Sequence, residues 1–475
     1  MNNLEFYIDG RWVAPDVPRT LGVVNPSSEE VFATISVGSA ADVDRAVAAA
    51  RKAFPSFSTV SREGRLALLD AIIAQYQRRA EDLAQAISAE MGAPIDFARN
   101  EQVASGAAHL QRIREVLESY EFEHQKGASL VVREPIGVIG MITPWNWPLN
   151  QITCKVGPAI AAGCTMVLKP SEIAPLNAII FAEIMHDAGV PHGVFNLVNG
   201  DGPTVGDAMS RHPGIDMMSF TGSTRAGILV AKSAADTVKR VSQELGGKSA
   251  NILFPDVDLA VAVTKGVNKC FGNSGQSCNA PTRMLVQRGQ MPDAIRHAKA
   301  AAEAFRVAPA SQQGPHLGPV VSELQFNKIQ DLIESGIKQG AELVTGGLGR
   351  PEGLNRGYYV KPTIFANVAP DMRIAKEEIF GPVLSIIAYD TLEDAVTEAN
   401  NTVYGLASYL QTKDLAKGRE IARKLRSGCV YINYPAWDTG LPFGGYKQSG
   451  NGREYAEFGL EDVTEIKGIG GYEAA

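Results

Sequence analysis

Cysteine is scarce in this 475-residue chain: five residues, Cys154, Cys164, Cys270, Cys278 and Cys429, with no two at CxxC spacing. An odd, scattered set excludes a disulfide scaffold and a paired-thiol metal cage, and it fits reduced thiols in a reducing compartment. A basic surplus is also missing, since 45 Lys and Arg face 52 Asp and Glu for a net charge of −7. That balance argues against a nucleic-acid partner. The opening MNNLEFYIDGRWV has neither a basic start nor an apolar run, so no secretion signal is expected. Internal repeats, low-complexity tracts and Pro/Ser-rich linkers are absent, and the seven histidines lack metal-ligand spacing. Only residues 135–154 form an uncharged run of membrane length. Pro135, Pro144, Pro148, Asn146, Asn150 and Gln151 within it would strand polar groups in lipid, so it reads as buried strand and loop. A cytoplasmic protein with no membrane or metal involvement is the expectation.

Hydrophobic residues make up 45% and charged residues 20% of the chain, an ordinary balance for buried cores. A length of about 150 residues per domain suggests roughly three domains or large subdomains. Residues 62–121 are rich in Ala, Leu, Glu and Arg, and Leu66, Leu69, Ile72, Ile73 and Tyr76 recur at helical spacing. Beyond Pro135 the pattern changes. Short apolar runs at 138–142, 165–168, 194–198, 217–220 and 250–254 alternate with helical stretches near 157–162, 174–188, 204–211 and 224–235. Such alternation predicts a parallel sheet with helices on both faces. A second alternation predicts strands at 283–287, 343–345, 383–389, 408–411 and 429–433, with helices at 392–400 and 415–425. The chain reads as a two-lobed α/β protein.

Parallel sheets bind ligands at the carboxyl ends of their strands, where glycine-rich turns enter helices. Gly200-Asp201-Gly202-Pro203-Thr204-Val205-Gly206 follows the apolar VFNLV and has GxGxxxG spacing. Phe220-Thr221-Gly222-Ser223-Thr224 follows DMMSF, and Ser223 or Thr224 would cap the next helix and leave its N–H groups for a phosphate. Either loop alone is ordinary turn chemistry, but two in consecutive βα units favour a nucleotide cofactor. Lys169-Pro170-Ser171-Glu172 closes the run TMVLK. An acidic residue there suits ribose hydroxyls and disfavours a 2′-phosphate. The plainer alternative is that Ser171 and Glu172 only cap the following helix.

The loop Asn273-Ser274-Gly275-Gln276-Ser277-Cys278-Asn279 sets a cysteine among small and polar neighbours, which suits a partly exposed, reactive thiol better than a core thiol. Upstream, Gln243-Glu244-Leu245-Gly246-Gly247-Lys248 puts a carboxylate before a Gly-Gly bend, either as a base in a cleft or as a solvated charge. No histidine is near Cys278 in sequence, although the partners of a Cys–His hydrolase need only meet in space. In Pro144-Trp145-Asn146-Trp147-Pro148-Leu149, the prolines fix a backbone that would aim the Asn146 amide at an oxyanion, or the tryptophans simply pack.

PWNWPL, KPSE, FTGST, ELGGKS, GQSC, EEIFGPV and PFGGYKQSG occur in the order found in the NAD(P)-dependent aldehyde dehydrogenase superfamily, and the chain resembles its hydrolytic, non-acylating members over essentially its whole length. The resemblance implies Cys278 as nucleophile, Asn146 as oxyanion donor, Glu244 as base for thioester hydrolysis and Lys155 in the active-site surroundings. It implies NAD in preference to NADP, held by Thr143, Trp145, Lys169, Glu172, Gly202, Gly206, Phe220, Gly222, Ser223, Leu245, Gly246, Glu378 and Phe380. The matching tunnel positions are Trp147, Gln151, Cys154, Gly272, Ser277, Asn279, Trp437 and Phe443. Small residues at Cys154 and Gly272 imply a wide tunnel for a bulky or aromatic aldehyde.

The implied architecture has a Rossmann-type NAD-binding domain at 1–120 and 134–246 and an α/β catalytic domain at 247–445. Oligomerisation segments at 121–133 and 446–475 would build a homodimer or homotetramer. A semialdehyde dehydrogenase with an anionic substrate is the nearest alternative, although no arginine is among the matched tunnel positions. A non-redox cysteine esterase and a non-catalytic binding relative are the more distant ones.

Overall fold

The computed structural model describes residues 2–473. Its largest sheet runs, strand by strand, Gly450–Asn451, Arg240–Glu244, Met217–Thr221, Val138–Ile142, Thr165–Lys169, Phe195–Leu197, Phe6–Ile8 and Arg11–Val13. The five strands from Arg240–Glu244 to Phe195–Leu197 are mutually parallel. VIGMI, TMVLK, FNL and MMSFT are buried at every position, as strands covered on both faces must be.

The edges depart from the parallel expectation. Phe6–Ile8 runs antiparallel to Phe195–Leu197 and turns back on Arg11–Val13 through Asp9 and Gly10, both at positive φ. A two-residue hairpin of this kind can only make antiparallel neighbours. At the other edge Gly450 and Asn451 pair antiparallel with Glu244 and Gln243. Gly450 has φ 120°, and a Cβ there would lie 1.9 Å from the Gln243 carbonyl oxygen, so only glycine permits this pairing.

The second sheet follows the order Glu342–Thr345, Thr363–Ala366, Val383–Tyr389, Arg283–Gln287, Ala250–Leu253, Ala407–Gln411 and Cys429–Ile432. It is parallel except for the Glu342–Thr345 edge, which pairs antiparallel across a bulge. Thr363–Ala366 is a strand that the sequence pattern did not reveal.

One helix differs more. The predicted 157–162 segment extends from Pro148 to Ala162, with every residue buried. It has no polar face to announce it, and Pro148 reads as a loop residue although proline suits the first helical position.

Glu123–Lys126, Ser129–Pro135 and Thr464–Ile469 make a separate three-stranded antiparallel sheet with exposed outer strands. The described part of the 446–475 segment is thus shared between two sheets, since Gly450–Asn451 belongs to the large one.

The helix Leu176–Asp187 begins five residues after Ser171, so neither Ser171 nor Glu172 is its cap. The fully buried Glu90 takes that place. Its carboxylate accepts from the Leu176 N–H at 2.6 Å, the Asn177 N–H at 3.0 Å and the Asn177 amide at 2.6 Å. Burial raises the Glu90 carboxyl to about 7, against the lowering pull of those donors. A folded value above the unfolded one means that this group's contribution to stability is complete below the ordinary carboxyl range and is lost as pH rises through about 7. Glu90→Ala should leave the buried Leu176 and Asn177 N–H groups unpaired, with Asn177 Nδ2 keeping only the Ala174 carbonyl, and cost at least about 2 kcal/mol, read from the denaturant midpoint. Between pH 5 and 8 the wild type should lose up to about 3 kcal/mol that Glu90→Gln does not lose. Equal pH dependence in the two proteins would contradict this assignment.

Candidate active site

The ELGGKS bend leaves the strand Arg240–Glu244 of the large sheet and enters Ala250–Leu253 of the second, so it crosses from one lobe to the other. Cys278 is reached from the other direction. The helix Leu259–Phe271 ends at Gly272, and Asn273, Ser274 and Gly275 follow with φ of 56°, 54° and 73°. Three successive left-handed residues turn the chain sharply. A Cβ on Gly275 would stand 2.1 Å from the Gly381 carbonyl oxygen, so the turn is wedged against the EEIFGPV segment. A Cβ on Gly247 would likewise stand 2.3 Å from the Cys278 carbonyl oxygen. The two backbones touch.

Cys278 is the one partly exposed cysteine; Cys154, Cys164, Cys270 and Cys429 are buried. Burial raises its thiol above the ordinary range, as do the charges of Glu378 and Glu244, while the backbone N–H groups of Cys278 and Asn279 act in the opposite sense. Glu244 is buried, and neither carboxylate oxygen has a hydrogen-bond partner. Burial, then the charge of Glu454, pushes its carboxyl well above the usual carboxylate range, and Lys155 and Arg453 only partly oppose them. A carboxylate so placed lacks the solvation that makes an ordinary glutamate a weak base.

Asn146 donates through Nδ2 to the Gln276 carbonyl at 3.0 Å, two residues before Cys278. Lys155 is buried and ion-paired with Glu454. Burial alone would lower its ammonium, but Glu454, Cys154 and Glu244 outweigh that and raise it.

A cavity of about 410 Å³ opens beside Cys278. It brings together Trp147, Gln151, Gly272, Ser277, Asn279, Trp437 and Phe443, all of the expected tunnel positions but one. Cys154 is the exception. It stands one helical turn beyond Gln151, beside Lys155 and Glu454, with Sγ 3.3 Å from Glu454 Oε2.

Trp147 is held by its Nε1–H donating to Ser277 Oγ at 2.8 Å. Gln151 Oε1 is buried with no partner. A Cβ on Gly272 would meet nothing within 4 Å, and Gly272 also borders a neighbouring cavity of about 610 Å³. Sequence reasoning missed Phe97, Glu101, Ala104, Ala108 and Lys269 on the cavity wall. Ala104 and Ala108 stand one helical turn apart, and that small-residue spacing was the available signal.

Eleven of the thirteen expected cofactor positions lie at or beyond the carboxyl ends of the large sheet's parallel strands, and Glu378 and Phe380 come from the segment ahead of Val383–Tyr389 in the second sheet. Lys169 is buried and donates to Glu172 Oε2 at 3.2 Å. Gly202 and Gly206 bound a π-helical turn capped by Asp201, and a Cβ on Gly202 would face open space. Ser223 Oγ accepts from the Ala226 N–H and caps Thr224–Ala234. A Cβ on Gly222 would strike the Phe220 ring at 2.6 Å, and one on Gly227 would strike Leu245 at the same distance.

Glu378 Oε1 accepts from the Gly247 N–H at 2.8 Å, and a Cβ on Gly246 would stand 2.5 Å from this carboxylate. Burial raises its carboxyl, against the Gly247 N–H. Phe380 meets Trp145 edge to face at 5.4 Å. The hydroxyls of Thr143 and Thr221 are buried without partners at two of these strand ends. A dinucleotide fits this set: carboxylates for ribose hydroxyls, a capped helix N-terminus for pyrophosphate, and orphaned hydroxyls to receive its polar atoms.

Among the described residues, no helix is long and apolar enough to cross a membrane, and no group of three or more His, Cys, Asp or Glu is placed to hold a metal ion.

Residues 12–469 match the aldehyde dehydrogenase family. The chain is 50% identical over 472 residues to a 3-succinoylsemialdehyde-pyridine dehydrogenase from a Pseudomonas species, covering 99% of each. It superposes with a TM-score of 0.99 on mutant aldehyde dehydrogenase C of Pseudomonas syringae, solved with NAD+ and octanal. That structure is 54% identical and is matched over 100% of this chain and 98% of the other. Betaine aldehyde dehydrogenase of Staphylococcus aureus with NAD+ is 35% identical, with a TM-score of 0.96 over 100% and 95% of the two chains. Matched along nearly its whole length by this family and by these relatives, the chain belongs to the aldehyde dehydrogenase family.

Proposed function

We propose that this protein oxidises free aldehydes to carboxylic acids with NAD, through a thioester on Cys278. The observation that carries the reading is a partly exposed cysteine on the wall of a deep cavity, with a buried, unpartnered glutamate in electrostatic reach. NAD+ in the structures of relatives at 54% and 35% identity supports the cofactor. Glu172 beside Lys169 supports NAD over NADP, because a carboxylate there repels a 2′-phosphate.

In this reading the Cys278 thiol first gives up its proton to solvent, and the thiolate adds to the aldehyde carbon while the carbonyl oxygen takes up the negative charge. Asn146 Nδ2 exchanges the Gln276 carbonyl for that oxygen, since both lie in the same loop's reach. NAD, when bound, supplies the hydride acceptor that turns the adduct into a thioester. Glu244 then takes a proton from water as the water oxygen adds to the thioester carbon, and collapse releases the acid and restores the Cys278 thiolate. The raised carboxyl of Glu244 makes its carboxylate a stronger base than an exposed glutamate would be. A general base for water favours hydrolysis over transfer to coenzyme A.

The substrate reading is an aldehyde with a bulky, long or aromatic tail. Gly272 leaves the cavity wall open, and Trp147, Trp437 and Phe443 give it apolar sides. Octanal in the Pseudomonas syringae relative supports a tail of that length. Lys269 on the same wall favours, as a second reading, a semialdehyde whose far end is anionic.

We further propose residues 1–120 and 134–246 as the NAD-binding domain and 247–445 as the catalytic domain. The three-stranded sheet, with exposed edges that include Ile466, would join subunits of a homodimer or homotetramer. Five unpaired cysteines support a cytoplasmic setting.

The direct test is NADH formation with short, aromatic and carboxyl-bearing aldehydes, with and without coenzyme A. NAD reduction should occur without coenzyme A and vanish in Cys278→Ala, while NAD binding persists; normal turnover in that variant would refute the mechanism. Glu244→Gln should slow steady-state turnover by about 10²–10⁴ and accumulate a thioester visible as a burst of NADH. An unchanged steady state would mean that another group is the base. Gly272→Phe should lower kcat/KM for aryl and C8 aldehydes about tenfold or more relative to acetaldehyde, and parallel losses would refute the open-wall reading.

A further inference from the structure

We infer that Gln102 is a positioning residue for Asn146, setting the oxyanion donor through its backbone without touching substrate; this rests on the reading of Asn146 given above. Gln102 lies in a π-helical segment, Ala98–Val103, inserted ahead of the helix Ala104–Ser119. A π segment widens the turn and re-aims its side chains, and such segments recur at functional sites. Here Asn100 and Glu101 are on the substrate cavity, while Gln102 points inward and is completely buried.

Its Nε2 donates to the Asn146 carbonyl at 3.0 Å and to Asn273 Oδ1 at 3.3 Å. Asn273 in turn donates to the Asn146 carbonyl at 2.9 Å and to the Gln276 carbonyl at 3.2 Å. The Asn146 carbonyl thus accepts two amide donors, and the Gln276 carbonyl accepts both Asn146 and Asn273. The main chain of Asn146 is clamped while its side chain keeps one exchangeable bond.

The amide orientation of Gln102 strengthens the case. Its Oε1 is buried with no partner. Leaving a buried acceptor empty is unfavourable, and an apolar side chain of the same length would fill the space without that cost. Flipping the amide would bring its oxygen against the Asn146 carbonyl and Asn273 Oδ1, both acceptors. The arrangement is explained by what Nε2 holds, not by packing alone.

The test is a double-mutant cycle on the full-length enzyme, with Gln102→Met as the near-isosteric variant that cannot donate. Gln102→Met should lower kcat about tenfold with KM and NAD affinity within about twofold. Asn146→Ala should cost about 10²–10³ in kcat. The double variant should be within about twofold of Asn146→Ala, because Gln102 acts only through that residue. In Gln102→Glu, only the neutral carboxyl can donate, so its activity relative to wild type should rise as pH falls from 9 to 6.

Multiplicative losses, a pH-independent ratio, or a Gln102→Met variant altered only in thermal midpoint would overturn the inference and leave the oxyanion reading standing. Asn146→Ala with normal turnover would overturn both.

Discussion

Two backbones in contact hold this site together. Gly247 and the Cys278 carbonyl are so close that no side chain could stand between them. The bend bearing Gly247 leaves the strand that ends at Glu244, so the contact fixes the buried carboxylate against the cysteine loop. Glu378 reinforces it by accepting the Gly247 N–H. The other side of the cysteine loop is fixed in the same way, by Gly275 against the Gly381 carbonyl. Both close approaches depend on glycine, and one of the two glycines also needs a left-handed backbone.

The electrostatics follow from that compactness. Glu244, Glu454, Lys155 and Asp462 share a region where water does not reach freely, and only Lys155 and Glu454 pair directly. Of the other two, Asp462 keeps a hydrogen bond with Ser242, and Glu244 has no hydrogen-bond partner at either oxygen. Its raised carboxyl comes from burial and from a neighbouring carboxylate whose charge is only partly cancelled. A fully paired Glu244 would be a poor base, so the lysine is placed to serve Glu454 first. The Cys278 thiol is raised for related reasons, by burial and by the charges of Glu378 and Glu244.

Much of this was legible in the chain itself. Fully buried strands announce themselves as unbroken apolar runs, and turns that need bare backbone announce themselves as glycine. The motifs PWNWPL, ELGGKS and GQSC carry Asn146, Glu244 and Cys278, and seven of the eight expected tunnel positions line one cavity. Cys154 shows where such reading ends. Its helix is buried all round, so sequence spacing gives no polar face from which to deduce which turn meets the cavity. Glu90 shows the same limit, since it caps a helix 86 residues away.

The sequence by itself determined most strands of the two parallel sheets, the glycine turns and the reactive residue types, because those depend on local backbone freedom and side-chain chemistry. It also determined the family, through seven ordered motifs. Only the tertiary structure decided which wall of the cavity each residue faces, that Glu244 stays unpartnered while Lys155 binds Glu454, and that Gln102 reaches Asn146. Those facts are long-range: they arise where helix, bend and loop from distant parts of the chain pack together, and a buried amide or carboxylate takes its hydrogen-bond partners from that packing, not from its neighbours in sequence.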